Sequence, residues 1–142
     1  MDKDLINLGV IKEKLRTFSE DRDWTQYHSP KNLVMALSVE VSELVEIFQW
    51  SNSGGIDEIN DPKQKEKIKK ELADIFNYLV KLIDLLDVDI ETEALQKIKE
   101  NAVKYPVEKV QGKSAKYTDL WKFIYLLVEI GMESLLLKSI EN

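Results

Sequence analysis

The chain contains no cysteine among its 142 residues. Disulfide bonds, thiolate nucleophiles and zinc–thiolate sites are therefore excluded, and a chain of this kind is compatible with a reducing compartment. The first residues, Met1 to Asp4, lack the basic and then apolar pattern of a secretory signal. We therefore expect a cytoplasmic protein.

Basic residues are outnumbered by acidic ones, which gives a formal net charge of −6 and a pI of about 4.9. This balance argues against duplex nucleic acid as the main partner, because neutralising phosphates requires a basic face. A phosphorylated small molecule is still compatible with the charge, since a bound cation can reverse the local sign.

Glycine and proline are also scarce, with 5 and 3 residues respectively, and long stretches are free to be helical. Apolar residues recur every three or four positions in four segments, which is the spacing of an amphipathic helix. No strand-like alternation of useful length occurs. The pattern predicts an all-α antiparallel bundle of about four core helices. The four segments are Asp4 to Ser19, Lys31 to Trp50, Lys63 to Leu86 and Glu91 to Val103.

Two regions of the chain are unusually apolar. The second segment is apolar on nearly all sides, which is typical of a buried helix. Beyond Asp119, residues 120–137 are strongly apolar but include Lys122, Glu129 and Glu133, so a membrane span is not favoured. We divide the chain into a helical domain, 1–120, and an apolar extension, 121–142, that packs on the bundle or on another subunit. No membrane partner is expected.

Four acidic residues carry the chemical signal. Glu40 and Glu43 share one face of the second segment, and Glu71 and Asp74 repeat the same i, i+3 spacing on the third. If these helices are antiparallel neighbours, the four carboxylates converge, and their burial and mutual repulsion raise their pKa values. A divalent cation would relieve that repulsion. Oxygen ligands favour Mg²⁺, with Mn²⁺ as the alternative.

Two other interpretations of these acids compete with a metal site. The carboxylates could lie on solvated faces and pair with nearby lysines, for which Lys67, Lys69, Lys70 and Lys81 are available. A ferritin-like di-iron site would need Glu-x-x-His pairs. The chain has one histidine, His28, and no glutamate stands three residues before it, so the di-iron interpretation fails.

The acidic pairs and several flanking blocks resemble a known family. The order Glu40-x-x-Glu43, a gap and Glu71-x-x-Asp74 resembles the metal signature of the MazG-like all-α nucleoside triphosphate pyrophosphohydrolases. The likeness runs from about Leu5 to Leu120 and is strongest to the dCTP pyrophosphatase branch, although a histidine is expected there in place of Leu15. The blocks that carry it are Arg22–Trp24, His28–Leu33, Glu40–Trp50, Asn101–Pro106 and Lys116–Thr118.

This resemblance implies a magnesium-dependent enzyme that cleaves (d)NTP to (d)NMP and pyrophosphate. The expected role is house-cleaning of the nucleotide pool, with dCTP or a modified nucleotide as substrate, in a homodimer or homotetramer. Glu40, Glu43, Glu71 and Asp74 are implied as catalytic metal ligands, and one of them or Glu46 would accept a proton from water. The implied substrate-binding residues are Trp24, His28, Trp50, Tyr78, Asn101 and Lys104.

An alternative function remains open from the residues alone. The chain could be a non-enzymatic helical module that interacts through oligomeric contacts, with the acids as a structural cluster. In that case Trp24, Trp50 and Tyr78 would be core residues and would not stack on a base.

Overall fold

The computed structural model describes residues 6–51, 55, 59 and 61–112, and these residues form helices without any strand. The prediction of an all-α fold is confirmed. A single 3₁₀ turn, Thr25–Tyr27, lies in the predicted loop between the first two helices. The helices are α1 (Leu8–Glu20), α2 (Pro30–Phe48), α3 (Pro62–Leu85), α4 (Ile90–Lys104) and the short α5 (Val107–Val110).

The chain divides into two compact units, Met1–Asp89 and Ile90–Asn142. The first unit contains α1, α2 and α3, and the second contains α4 and α5. The predicted boundary at residue 120 and the apolar extension, 121–142, lie outside the described residues. None of the described helices combines the length and the apolar character needed to cross a membrane.

Side-chain caps determine where the helices of the first unit begin. The Asn7 side chain accepts a hydrogen bond from the Val10 backbone N–H at 3.1 Å, so α1 begins at Leu8, whereas the predicted start at Asp4 lies outside the described residues. Ser29 and Asp61 cap α2 and α3, and each is followed by a proline at the first helical position. Both choices suit helix starts, because the cap satisfies a free N–H and proline lacks one.

Two aspartates in the left-handed region end α1 and α3. Asp23 has φ 54° and Asp87 has φ 51°, a conformation that aspartate tolerates better than most residues. After Asp23 the Trp24 N–H donates back to the Ser19 carbonyl at 2.9 Å. This reversal places the Trp24 ring edge-on against Phe18, with 5.9 Å between the ring centroids.

The most extensive packing in the first unit joins α2 to α3, and the two helices are antiparallel. Leu33 at the start of α2 lies beside Val80 near the end of α3, and both are almost completely buried. On α3, Ile83 completes the small apolar core. Helix α1 is joined to α3 by two hydrogen bonds from the Arg16 guanidinium to the Asp84 carboxylate, each 2.6 Å long.

The outer face of α2 differs from the prediction that this helix is buried. Among its apolar side chains, Val34 is 50% exposed, Met35 59% and Val45 60%. The reason is geometric, because α3 packs on one side of α2 and the described residues of the first unit contribute α1 as the remaining helix. The helix therefore presents a broad apolar face in the single chain.

Removing the Ser29 hydroxyl is expected to destabilise the protein. Ser29→Ala leaves the Asn32 N–H, which donates to the serine Oγ at 3.2 Å, without its cap. The free energy of unfolding should fall by about 1 kcal/mol. Ser42→Ala is the matched control, since this hydroxyl only donates back to the Ser38 carbonyl within α2. Urea denaturation measures both, and equal values for the two variants would contradict the capping role.

Candidate active site

Three glutamates converge where α2 packs against α3. Glu40, Glu43 and Glu71 each offer a carboxylate oxygen, and these oxygens lie within 4.8 Å of one another. Glu40 and Glu71 are half-buried, and Glu43 is exposed. We call these residues the acidic trio. The structure therefore brings together three of the four acids that the sequence pattern selects.

Asp74 lies beside the trio and is exposed on α3. Its carboxylate is outside the group of mutually close oxygens, but its charge acts on Glu40. The pKa of Glu40 is raised, first by burial and then by the negative charges of Glu43, Asp74 and Glu71. The four acids thus form one electrostatic cluster in which the charged form of Glu40 is disfavoured.

Lysine pairing does not offset these charges. Within the described part of the chain, none of the four acids forms an ion pair with a lysine or an arginine. Lys69 instead pairs with Glu66 at 3.3 Å, and the Lys81 ammonium lies against aromatic rings. The structure therefore gives no support to the interpretation in which these acids are solvated partners of lysines.

The donor set of the trio suits a hard divalent cation. It consists of closely spaced, partly buried carboxylate oxygens, and no described lysine or arginine forms an ion pair with them. Magnesium is commonly held by a few carboxylates together with substrate phosphates and water. The residues present therefore fit the metal that the sequence pattern implies.

An open cleft of about 690 Å³ lies on one side of the trio, between the end of α2 and the start of α3. Glu43 and Glu71 contribute to its wall, and so does Glu46, one turn beyond Glu43. Lys63 and Lys67 supply positive charge at the α3 side of the same cleft. The cleft therefore combines carboxylates from both helices with two lysines of α3.

A smaller cavity of about 150 Å³ lies on the opposite side of the trio, among α1, the 3₁₀ turn and the end of α3. Its apolar wall consists of Leu15, Leu33, Val80 and Leu85. The Ser19 hydroxyl, which is buried, faces the same cavity and donates to the Leu15 carbonyl at 2.8 Å. We call this space the α1 cavity.

The polar wall of the α1 cavity combines charges of both signs. Arg16 and Asp84 line it as an ion pair, and His28 and Lys81 lie on it as well. The pKa of His28 is lowered by burial and by the nearby Lys81 charge, which favours neutral imidazole. Burial also lowers the pKa of Lys81.

The predicted substrate-binding residues are distributed unevenly. His28 lines the α1 cavity, and Tyr78 is half-buried with its ring 5.7 Å from the Lys81 ammonium. Trp24 packs beside Phe18 and is 46% exposed. Trp50 is 86% exposed and lines neither the cleft nor the α1 cavity.

Two further predicted residues, Asn101 and Lys104, belong to the second unit. Both are exposed on α4, within Ile90–Asn142. Their roles toward sugar or phosphate stay a prediction.

The sequence analysis missed the charged wall of the α1 cavity. Lys81 follows Asp74 by seven residues, or two helical turns, and so lies on the same face of α3. That spacing was a usable signal. Arg16 and Asp84 gave no comparable signal, because 68 residues separate them in the chain.

Comparisons with known proteins identify the family of this chain. Residues 35–120 match the MazG-like family. The chain belongs to the MazG-like family. It is 40% identical to dCTP pyrophosphatase 1 of Rattus norvegicus over 114 residues, which cover 80% of this chain and 67% of the rat protein. The human protein of the same name is 38% identical over the same shares. These findings confirm the family resemblance derived from the sequence.

A solved structure supports the same assignment. The crystal structure of a pyrophosphatase from Archaeoglobus fulgidus matches with a TM-score of 0.64 and 33% sequence identity. The match covers 75% of this chain and 98% of the archaeal chain. The MazG-like all-α fold is thus supported by sequence and by structure.

Replacing Glu40 by glutamine should stabilise the protein in the absence of metal. The folded state disfavours the Glu40 carboxylate, so its neutral analogue removes a repulsive charge. We expect Glu40→Gln to melt at a higher temperature than the unchanged protein in EDTA. The same variant should lose the rise in Tm that added Mg²⁺ produces by binding the folded state.

Glu13→Gln is the matched control, because Glu13 is exposed on α1 and lines neither space. Scanning calorimetry with EDTA and with Mg²⁺ separates the effects. A Mg²⁺-induced shift in Glu40→Gln as large as that of the control would show that the trio is not the metal site.

Proposed function

We propose that this MazG-like protein is a magnesium-dependent nucleoside triphosphate pyrophosphohydrolase that acts at the acidic trio. The class of reaction, release of pyrophosphate from a nucleoside triphosphate, is confirmed by the relatives named above. The single observation that carries the proposal for the site is the convergence of Glu40, Glu43 and Glu71, none of which forms an ion pair within the described residues.

The order of the α1 cavity, the acidic trio and the cleft along α2 and α3 supports an orientation for the substrate. Leu33 precedes Glu40 by seven residues and Lys81 follows Asp74 by seven, so the α1 cavity is about 10 Å from the acids on both helices. The cleft with Lys63 and Lys67 lies in the other direction. A nucleotide with its base in the cavity would present its phosphates to the acids and its terminal phosphates to the lysines.

Each group of residues then has a chemical task. The apolar wall of the cavity excludes water from one face of the base, and Lys63 and Lys67 attract the leaving pyrophosphate. Glu46 faces the cleft outside the trio, where its carboxylate is available to accept a proton from the attacking water. Magnesium bound by the acids would neutralise the triphosphate and stabilise the charge that develops in the transition state.

The preferred substrate is proposed to be dCTP or a modified deoxynucleotide, in keeping with the relatives named dCTP pyrophosphatase 1. Removal of such nucleotides is a house-cleaning role. Mg²⁺ is proposed as the metal because the trio offers carboxylate oxygens alone, and Mn²⁺ is the alternative because it accepts the same ligands. The cytoplasmic location and the absence of a duplex nucleic acid partner remain predictions from the sequence.

Hydrolysis in water enriched in ¹⁸O is expected to place the label in the monophosphate. Attack at the α-phosphorus breaks the bond to the bridging oxygen and leaves pyrophosphate unlabelled. Mass spectrometry of both products measures this. Label in pyrophosphate, or formation of diphosphate and inorganic phosphate, would contradict the proposed cleavage.

Glu40→Gln, Glu43→Gln, Glu71→Gln and Asp74→Asn should each reduce kcat/KM strongly. The expected loss exceeds the ~10–100-fold that changes outside a metal's own ligands cost. Glu66→Gln on α3 is the control, because this exposed acid pairs with Lys69 away from the trio. Full activity in two of the four variants would defeat the assignment, and absence of Mg²⁺ binding would favour the non-enzymatic module.

The apolar face of α2 supports a homodimer or homotetramer. Large exposed apolar surfaces on a helix are one feature that marks an association surface between subunits. We expect light scattering to give twice or four times the mass of the 16.5 kDa chain. Met35→Glu, which places a charge on that face, should shift the distribution toward the monomer, whereas Glu13→Gln should not. A monomer at all concentrations would contradict the proposed assembly.

A further inference from the structure

The wall of the α1 cavity comes mainly from two helices that pack against each other. Helix α1 contributes residues between Lys12 and Glu20, and α3 contributes residues between Val80 and Leu85. Since these residues belong to different helices, the width of the cavity depends on how α1 is placed on α3. The contacts that hold α1 on α3 therefore decide whether a ligand fits the cavity.

Apolar packing makes a limited contribution to the position of α1 within the described part of the first unit. Ser19 is the one residue of this helix that is buried, whereas Val10 is 49% exposed and Phe18 is 44% exposed. Leu15, which lines the cavity, is half-buried. Because the stabilisation from apolar contacts grows with the area removed from water, these partly exposed side chains contribute less than buried ones would. Polar contacts therefore matter more for the position of α1.

One ion pair joins α1 directly to α3. The Arg16 Nε and Nη2 atoms donate to the two oxygens of the Asp84 carboxylate, and both distances are 2.6 Å. The Lys12 ammonium lies 3.8 Å from one of these oxygens. Among the residues that the structure describes, no other hydrogen bond or ion pair links α1 to α3. The hydrogen bonds and ion pairs between the two helices thus converge on a single carboxylate.

The geometry of this ion pair fixes the placement of α1 in addition to attracting it. Two parallel hydrogen bonds from a planar guanidinium set both a distance and an angle, which a single point charge does not do. The Asp84 side chain is 16% exposed and follows Ile83 of the apolar core, so the acceptor belongs to a well-packed part of α3. The pKa of Asp84 is lowered, first by the hydrogen bonds from Arg16, and the carboxylate therefore stays ionised.

We propose that Arg16 and Asp84 are positioning residues for the hydrolysis, and that their ion pair holds α1 on α3 at the spacing at which the α1 cavity admits the substrate. Asp84 follows Asp74 by ten residues, which is about 15 Å along α3, so the pair is remote from the acidic trio. It therefore sets how tightly the substrate binds and leaves the chemical step unchanged. The inference rests on the proposed function, since it assumes that the α1 cavity holds part of the hydrolysed nucleotide.

Steady-state hydrolysis of dCTP with Mg²⁺ tests the proposal. Arg16→Met keeps an apolar stem but removes both hydrogen bonds, so fewer molecules hold the cavity at the required width. KM should therefore rise by about 3- to 10-fold while kcat stays unchanged. Asp84→Asn, which keeps the side-chain volume, should change KM in the same direction. Lys69→Met is the matched control, since it breaks an exposed ion pair with Glu66 that lies within α3 and joins no second helix.

Two further variants distinguish positioning from a general loss of stability. The double variant, Arg16→Met with Asp84→Asn, should have a KM no higher than that of the weaker-binding single variant, because both changes remove the same contact. Arg16→Lys keeps the charge but loses the paired hydrogen bonds, so its KM should lie between those of the unchanged protein and Arg16→Met. Circular dichroism at the assay temperature establishes that each variant is folded. Increases in KM that multiply in the double variant, or a fall in kcat without a change in KM, would overturn the proposal.

Two measurements without metal separate this proposal from the proposed function. In EDTA, hydrogen exchange followed by mass spectrometry should show faster exchange of the α1 amides in Arg16→Met, with the α2 amides unchanged. Calorimetric titration in EDTA should show weaker binding of dCMP by the same variant. Both results in a protein that does not hydrolyse nucleoside triphosphates would support the positioning pair and overturn the hydrolase. Hydrolysis with a KM unchanged in Arg16→Met would overturn the positioning pair and leave the hydrolase intact.

Discussion

The antiparallel packing of α2 against α3 is the constraint on which the rest of the first unit depends. It places the start of one helix beside the end of the other, so the acidic trio, the α1 cavity and the cleft follow one another along a single seam. Seven residues separate Leu33 from Glu40, and also Asp74 from Lys81. Because seven residues make almost two complete turns, these side chains keep to the same faces. A shift of one helix along the other would disperse all three features together.

The charges along this seam oppose folding at the acidic trio and support folding at the α1 cavity. At the trio the carboxylates repel one another, and the pKa of Glu40 is raised. At the α1 cavity the Arg16–Asp84 pair joins α1 to α3, and the pKa of Asp84 is lowered. The Glu40 carboxylate therefore binds a proton more readily in the folded protein than in the unfolded chain, and mild acid relieves the repulsion at this residue. Stronger acid, as the pH falls through the lowered folded pKa of Asp84, removes the stabilisation of the ion pair. The acidic trio and the Arg16–Asp84 ion pair thus respond to pH in opposite directions.

The spacing of the aromatic residues in the sequence does not show which of them pack within the fold and which are exposed. The Arg22 guanidinium carbon lies 3.7 Å from the centre of the Phe18 ring, and the Trp24 ring packs edge-on against Phe18. These contacts stabilise the turn after α1. Tyr78 and Phe18 together bracket the Lys81 ammonium. Trp50, in contrast, is almost fully exposed in the single chain. A proposed second subunit on the apolar face of α2 is one source of the contacts that α2 lacks within its own chain.

Much of this protein follows from the sequence because its helices are long and periodic. The four segments, the capping residues before Pro30 and Pro62 and the i, i+3 pairs of acids are local features, and local spacing determines which face of a helix a residue occupies. The family can also be identified from the sequence, because its motifs are short continuous blocks. The short α5 and the exposure of five apolar side chains on α2 were not predicted from the sequence.

Tertiary structure alone decided which of the local features meet. It brought Glu71 into the trio and left Asp74 beside it, and it joined Arg16 to Asp84 across 68 residues. It also created the α1 cavity, with Lys81 and Asp84 on one wall. The physical reason is that a helix period specifies direction around one axis, whereas distances between side chains on different helices depend on how those axes pack.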